Sequence, residues 1–455
     1  MKKNNILVIV FLVILSFGIN QGFAQTTYTW NYMPPNPPFW GFASNWSPMG
    51  VPTANDNVVI DVGAPYPTVL NGYAVCNNLI IEPQASITIN LGGILTVSGD
   101  MLMESDETGT AWLMNNGTMT INGTSTVQQY IEGTEYPAGN DKWHLISQPV
   151  ASINSTAVFL NCYLKEFNAI TGIYEDVGPD QTLNTIMKGY SVMNTYYPGA
   201  TDSKTLEFTG TLNNGDYSIN LVNAGEGWCL VGNPYPSSID WDNAGWTRTN
   251  IGSTVYVWNS AAGNFITWNG VAGDLTDGII PPMQAFFVQA TGNNPVIGVT
   301  NSVRTSSPQV FYENTTQDLL SLTVTGSNGY FDKAFVNFNS NSTVTYDKNF
   351  DSYKMEGGET APQLFSIIQE YKLTVNVLPE ITETTEINIG CSCGLSGDYS
   401  INAEGIDSFD TSVRLLLKDI KENTTIDLRK NAVYNFNYST DDETHRFILY
   451  ILSSS

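Results

Sequence analysis

The sequence has few of the residues that ordinarily carry out catalysis or bind transition metals. Its 455 residues include two histidines, His144 and His445, each within a strand-like pattern in a different part of the chain. Nucleophilic catalysis needs a base that a third group holds beside the nucleophile. The scarcity therefore argues against a Ser-His-Asp or Cys-His enzyme and against a zinc site built from histidines.

Basic residues are also scarce. The chain has 18 lysines and arginines against 43 aspartates and glutamates, and its formal net charge is −25. Nucleic acids and anionic membrane surfaces attract clusters of positive charge, so we expect neither as a partner. A strongly acidic chain suits solubility outside the cell and permits calcium binding by carboxylates.

The cysteines form no recognisable disulfide framework. There are five, an odd number, at positions Cys76, Cys162, Cys229, Cys391 and Cys393. The last two flank a single serine, so a strand there would place both thiols on one face. That pair alone offers too few ligands for a metal site. The sequence leaves open whether the two are bridged to each other, bridged elsewhere or free.

Long hydrophobic runs are lacking after the N-terminus. Residues 1–24 begin with two lysines, continue with an apolar stretch over residues 6–19 and end in small residues, the order of a secretory signal peptide. The apolar stretch is shorter than the roughly 20 residues that cross a bilayer. We therefore predict a cleaved signal, a secreted or cell-surface protein, and no membrane span after signal removal.

The rest of the sequence predicts an all-β protein that begins with a solenoid-like section. Residues 26–75 are rich in proline, tryptophan and asparagine and indicate an irregular cap followed by one strand at residues 57–61. From about residue 75, short alternating apolar bursts are separated by glycine or asparagine, which is typical of strands and turns. Their near-regular spacing favours a short parallel β-solenoid within residues 25–130, with a β-sandwich of short hairpins as the alternative.

Two later sections follow. Three blocks recur in the same order at residues 142–149 and 227–234, 165–172 and 256–263, and 187–192 and 283–288. They predict a duplicated β-module over residues 131–310, with halves of about 131–222 and 223–310. Residues 311–455 carry many strand patterns without helical periodicity and predict a C-terminal β-sandwich.

Candidate binding residues are aromatic or acidic. The aromatic residues that lie near glycine, asparagine or proline, and that could stack on sugar rings, are Trp46, Tyr196, Tyr197, Trp241, Trp246, Trp258 and Trp268. Buried aromatics give the same pattern, because large aromatic side chains are usually mostly buried. A structural calcium ion is a hypothesis for Asp240, Asp242 and Asn243; a simple turn is the alternative, and no other cofactor is expected.

Several blocks resemble the region that precedes the sorting domain in large adhesin-like cargo proteins of the type IX secretion system. They are residues 45–47, 56–60, 143–149, 232–241, 280–288 and 446–447. The resemblance implies a surface or extracellular location and adhesion, without identifying a ligand.

The sequence therefore predicts a secreted or cell-surface structural or adhesin-like protein that acts by binding or display rather than catalysis. Its ligand would be a surface glycan or a protein. One alternative is a carbohydrate-binding accessory module, favoured if the loop tryptophans line one groove. The other is a glycan-active enzyme, which requires two carboxylates about 5 to 10 Å apart in a cleft. No catalytic residue is assigned.

Overall fold

The computed structural model describes residues 25–453, apart from positions 33, 63–65, 70–71, 134–141, 195–202, 306–317 and 382–383. The described part consists mainly of β-strands, which confirms the predicted all-β class. Its helical segments are α1 (Ser155–Phe159) and the 3₁₀ turns Ala43–Asn45, Thr276–Gly278, Asn301–Val303 and Ile406–Ser408. None of these described helices has the length and apolar character that a membrane crossing requires. The predicted signal peptide, residues 1–24, lies outside the described residues.

The strands of the first section are β1 (Thr27–Trp30), β2 (Trp46–Ser47), β3 (Asn57–Ile60), β4 (Thr68–Val69), β5 (Gly72–Cys76), β6 (Leu79–Ile81), β7 (Ser86–Ile89), β8 (Gly93–Val97), β9 (Met101–Met103), β10 (Ser105–Asp106), β11 (Gly109–Thr110), β12 (Trp112–Asn115), β13 (Thr118–Ile121) and β14 (Ser125–Ile131).

Most of these strands wind into a three-sided parallel solenoid, as the sequence predicts. Successive turns of the chain place β3, β6, β9 and β14 in one sheet, β4, β7 and β12 in a second, and β5, β8 and β13 in a third. Alternate side chains point inward and stack from turn to turn. Val58 pairs with Leu79, which pairs with Met101, and all three are at most 2% exposed. Each turn therefore buries its apolar face against the next.

The strands of the middle section are β15 (His144–Ser147), β16 (Ile153–Asn154), β17 (Cys162–Asn168), β18 (Ile173–Asp176), β19 (Thr182–Leu183), β20 (Gly189–Asn194), β21 (Lys204–Thr209), β22 (Tyr217–Asn220), β23 (Trp228–Gly232), β24 (Ser238–Asp240), β25 (Trp246–Thr249), β26 (Val255–Asn259), β27 (Asn264–Trp268), β28 (Ile279–Ile280), β29 (Ala285–Gln289), β30 (Val296–Val299) and β31 (Arg304–Thr305).

Two four-stranded antiparallel sheets in this section have the same connectivity. One has the order β15-β20-β17-β18 and the other the order β23-β29-β26-β27. The blocks matched in sequence fall on corresponding strands, since residues 142–149 include β15 and residues 227–234 include β23. The middle section also adds one strand to the solenoid, because β21 pairs antiparallel with β14 at the edge of the solenoid's first sheet.

A seam of reciprocal hydrogen bonds joins the two sheets. The Ser147 N–H donates to the Met283 carbonyl at 2.7 Å, and the Gly232 N–H donates to the Met187 carbonyl at 2.8 Å. In the matched blocks Ser147 corresponds to Gly232, and Met187 to Met283. Both methionines have positive φ angles, 67° and 57°. A Cβ on Gly232 would lie 2.3 Å from the Ser147 Cβ, so the seam requires glycine at that position.

Arg304 connects this section with the solenoid. Its guanidinium donates to the Asn115 carbonyl at 3.1 Å and to the Asn213 carbonyl at 3.2 Å. It also lies 3.9 Å from the ring centroid of Tyr235. Arg304 is 5% exposed, and this burial lowers its pKa to about 10. A charge so buried depends on these partners, because leaving any charged group unsatisfied costs several kcal/mol.

The strands of the last section are β32 (Leu320–Gly326), β33 (Phe331–Phe338), β34 (Ser352–Tyr353), β35 (Gln363–Ile368), β36 (Tyr371–Leu378), β37 (Thr384–Ser392), β38 (Gly397–Glu404), β39 (Arg414–Asp419), β40 (Thr424–Asp427), β41 (Val433–Tyr438) and β42 (His445–Leu452).

These strands form one sheet that curls over its own core. The order is β40-β39-β42-β37-β35-β36-β33-β32-β38-β41, with β34 attached to β36. Strand β41 is far from β42 in this order, yet the rings of Phe436 and Phe447 lie 5.2 Å apart. The two halves of the sheet therefore face each other, like the layers of the predicted sandwich, but they belong to one continuous sheet.

Replacing Gly232 with alanine tests the seam. The added Cβ would overlap the Ser147 side chain, and overpacking of this kind costs about 1–3 kcal/mol. We expect a lower midpoint of denaturant unfolding for Gly232→Ala. Gly178→Ala is the control, because the nearest atom to its added Cβ, Gln181 Nε2, is 4.0 Å away.

A second substitution makes the test specific. Adding Ser147→Gly to Gly232→Ala removes the atoms that the new methyl group meets, so most of the lost stability should return. A double variant no more stable than Gly232→Ala alone would contradict the proposed contact.

Candidate functional site

Trp46 is not available to a ligand. It is 2% exposed, and its ring lies 5.0 Å from that of Trp30 and 4.8 Å from that of Trp40. Its indole N–H donates to the Trp40 carbonyl at 2.8 Å. The proline-rich cap thus closes the start of the solenoid with three tryptophans, and the prediction that Trp46 contacts a ligand is wrong.

Three other predicted tryptophans come together around β24, β25 and β27. Trp241 is fully buried, and its N–H donates to the Ser253 carbonyl at 2.7 Å, so the prediction that it contacts ligand is also wrong. Trp246 lies 4.8 Å from the Trp241 ring and donates to the Asp240 carbonyl at 2.7 Å. Trp268 donates to Asp242 Oδ2 at 2.8 Å. The last two are half-buried, and every indole N–H of the group is used inside the protein.

The remaining predicted aromatics do not join this group. Trp258 is half-buried and packs against Phe265, 5.0 Å away, in the cluster that also contains Phe287. Tyr196 and Tyr197 lie outside the described residues. The predicted tryptophans, all of which the structure describes, therefore do not line one shared groove, which was the condition that favoured an accessory module built on loop tryptophans.

The acidic residues near Trp241 are engaged in the turn itself. Asp240 Oδ1 accepts the N–H of Asp242 at 2.8 Å, and Asn243 Oδ1 accepts the N–H of Gly245 at 2.9 Å. Across the described parts of the chain, no three His, Cys, Asp or Glu side chains are grouped so as to hold one metal ion. Calcium at Asp240, Asp242 and Asn243 stays a prediction.

The solenoid carries a row of carboxylates on consecutive turns, called the ladder below, that the sequence analysis did not identify. Ile60, Ile81 and Met103 pair in register on three consecutive turns. Each is followed by an acidic residue, and these are Asp61, Glu82 and Glu104. Burial raises the pKa of Glu82 to about 7, helped by a hydrogen bond and charge from Asp61 and by the charge of Glu104. In the sequence, an apolar residue followed by an acidic one recurs at the ends of β3, β6 and β9, and this pattern could have identified the carboxylates. The ladder can hold a proton near neutral pH.

A shallow groove lies on the outer face of the last section. It has a volume of about 610 Å³ and is lined by Thr325, Gly326, Ser327, Asp398, Tyr399, Ser400, Asn435, Phe436 and Asn437. This volume is within the range of ordinary ligand sites, about 300–1,000 Å³. Unlike the tryptophan cluster, the groove is open to solvent.

The strand register explains why the groove is polar. Thr325 on β32 pairs with Ser400 on β38, which pairs with Asn435 on β41, so their side chains project from the same face. The neighbouring residues Tyr399 and Phe436 point to the other face and are 5% and 6% exposed. The result is a row of hydroxyl and amide groups above an apolar core.

Contacts within and beside the groove hold its strands in place. Asn437 Nδ2 donates to Asp398 Oδ1 at 3.0 Å, which ties one end of the row in place. Half-buried Phe331 on β33 pairs with Thr325 and places an aromatic ring beside the groove, next to the residues that line it. A Cβ on Gly326 would lie 2.8 Å from the Tyr399 ring, so the sheet is tightly packed here. Asp398 is the one charged side chain among the lining residues.

The comparisons with known proteins give a family and no activity. The chain belongs to a family described as a domain of unknown function, DUF8693, whose model matches residues 35–450. That match spans the solenoid, the middle section and the curled sheet together. No curated protein matches the chain, and neither does any solved structure.

Glu82 gives a pH-dependent prediction. Its pKa in the folded protein, about 7, is above the ordinary value of 4.5, so ionisation disfavours the folded state. Its contribution to stability is lost as the pH rises from 4.5 through 7. Glu82→Gln should therefore raise the melting temperature relative to the parent at pH 8, by about 2 °C, and have little effect at pH 4.

The matched control is Glu107→Gln, which removes the same charge from an exposed position of the solenoid. It should not reproduce the pH-dependent difference. Equal effects of Glu82→Gln at pH 4 and pH 8, measured by thermal unfolding, would show that the ladder holds no proton.

Proposed function

We propose that this protein is a secreted or cell-surface adhesin-like protein that binds a neutral, hydroxyl-rich glycan in the groove of its C-terminal sheet. The observation that carries the proposal is the row formed by Thr325, Ser400 and Asn435 on three paired strands. Hydroxyl and amide groups both donate and accept hydrogen bonds, as sugar hydroxyls do. A ligand of that kind can satisfy the row without bringing any charge.

The negative net charge of the chain restricts the kinds of glycan that would bind. A net charge of −25 repels polyanions, and Asp398 adds a negative charge at the groove itself. Uronate-rich or sulfated polymers are therefore disfavoured relative to neutral ones. Phe331, beside the groove, offers an apolar surface for the hydrogen-bearing face of a sugar ring.

The location and the mode of action rest on the sequence. The pattern over residues 1–24 supports export, and the resemblance to type IX secretion cargo supports display at the surface. In this proposal the solenoid and the middle section are the scaffold that presents the groove. The proposal assigns no catalytic residue, so binding would leave the glycan intact.

We also infer that the two four-stranded sheets arose by duplication of one β-module. Three matched sequence blocks, one shared strand order and the reciprocal bonds at Met187 and Met283 support this inference. Duplication would explain why the left-handed backbone conformation recurs at both methionines.

The binding proposal is tested by affinity electrophoresis of the full chain in gels that contain dextran, xylan or a mixed-linkage glucan. We expect at least one of these neutral polymers to retard the protein, and alginate, a polyanion, to have no effect. Soluble reducing ends are measured in parallel. Release of oligosaccharides would overturn the non-catalytic part of the proposal.

Variants then assign the binding to the groove. Asn435→Ala combined with Asn437→Ala removes two amide groups, and a hydrogen bond contributes about 0.5–1.5 kcal/mol, so affinity should fall about tenfold or more. Thr425→Ala, at an exposed position on β40, is the control and should bind like the parent. Retention of full affinity in the double variant, or no binding to any neutral polymer, would refute the groove as the site.

A further inference from the structure

The cysteines of the last section form a close pair. All five cysteines are among the described residues, and each is a free thiol in the structure. The Sγ atoms of Cys391 and Cys393 are 3.8 Å apart. The others have different neighbours, since Cys162 Sγ is 3.6 Å from Lys204 Nζ and Cys229 Sγ is 3.3 Å from the Val222 carbonyl.

The pair is placed by the strand. Cys391 is in β37, where it pairs with Leu364, and Cys393 follows Ser392, the last residue of that strand. Side chains two residues apart lie on the same face of a strand, and here that face is the core, with Cys391 and Cys393 at 0% and 6% exposure. Both thiols are thus held against each other and away from solvent.

We infer that Cys391 and Cys393 are an oxidation site and form an intramolecular disulfide when the chain meets a small-molecule or protein disulfide. A disulfide needs sulfur atoms about 2.05 Å apart, so the two must approach by less than 2 Å. The Cα atoms of residues i and i+2 in a strand are about 6.7 Å apart, near the upper limit of about 6.8 Å for disulfides. Cys393 lies beyond the paired part of β37, where the backbone can bend to shorten this distance.

The exchange proceeds in two balanced steps. The Cys393 thiolate attacks one sulfur of the external disulfide, which forms a mixed disulfide and releases one external thiol. The Cys391 thiolate then attacks the Cys393 sulfur, the internal bond forms, and the second external thiol leaves. Two thiols of the protein are oxidised and one external disulfide is reduced.

Burial determines when this exchange takes place. The pKa of Cys391 is raised well above the ordinary thiol value by its contact with the Cys393 side chain and by burial. The folded core therefore disfavours the thiolate that exchange requires. The bond forms while the curled sheet is still open and is then shielded by the same burial. Cys393 also contacts Tyr399, whose backbone lines the groove, so the bond would lie directly beneath it.

The test counts thiols in the full chain. The protein is reduced and unfolded, refolded in a mixture of reduced and oxidised glutathione, and then unfolded again with N-ethylmaleimide. Intact mass should show three maleimide adducts, and five after prior reduction with dithiothreitol. Peptide mapping should locate the bond between positions 391 and 393. Five adducts without reduction, a bond elsewhere, or a stable glutathione adduct at either position would overturn the inference.

Two variants separate this pair from the other cysteines. Cys393→Ser leaves four cysteines with no partner for Cys391, so four adducts are expected without reduction. Cys229→Ser, the matched control, keeps the pair and should give two adducts. Because each variant is labelled in the unfolded state, the number of maleimide adducts does not depend on how the variant is folded when it is labelled. A Cys393→Ser protein that gives only two adducts would contradict the assignment.

Discussion

The architecture depends on the seam at which the Ser147 and Gly232 N–H groups donate to the Met283 and Met187 carbonyls. These bonds join two sheets that each have an apolar face. The seam works only because the backbones approach closely, which glycine permits at position 232. Leu145 of one sheet and Leu230 of the other then become buried in a common cluster.

The other sections are attached to this centre by buried polar contacts. Arg304 links it to the solenoid through the Asn115 carbonyl. On the opposite side, Asn264 Nδ2 donates to the carbonyls of Phe331 and Pro362, at 2.8 and 3.0 Å, which fixes the curled sheet. Each donor is almost fully buried, so separating the sections would leave polar groups without partners. The family match over residues 35–450, which covers all three sections, agrees with sections that occur together.

Local patterns in the sequence predicted the fold better than the site. Alternation within short apolar bursts is a direct consequence of stacking in a solenoid, so the solenoid could be predicted from the sequence after about residue 75. The matched blocks around β15 and β23 likewise reflect a repeated local structure. Exposure is a tertiary property, and turn residues beside Trp46 and Trp241 gave no information about what covers those rings. Glycine and asparagine neighbours therefore misidentified buried aromatics as binding residues.

The groove could not be predicted from the sequence because its row joins Thr325, Ser400 and Asn435, which meet only through the register of β32, β38 and β41.

The most direct test of the groove as the binding site is hydrogen–deuterium exchange of the full chain, with and without a neutral polysaccharide that retards the protein in affinity electrophoresis. If the polysaccharide binds in the groove, amide exchange should slow in β32, β38 and β41 alone, with β24 and β25 unchanged. Protection centred on β24 and β25, around Trp241 and Trp246, would contradict binding in the groove and move the site to the tryptophan cluster.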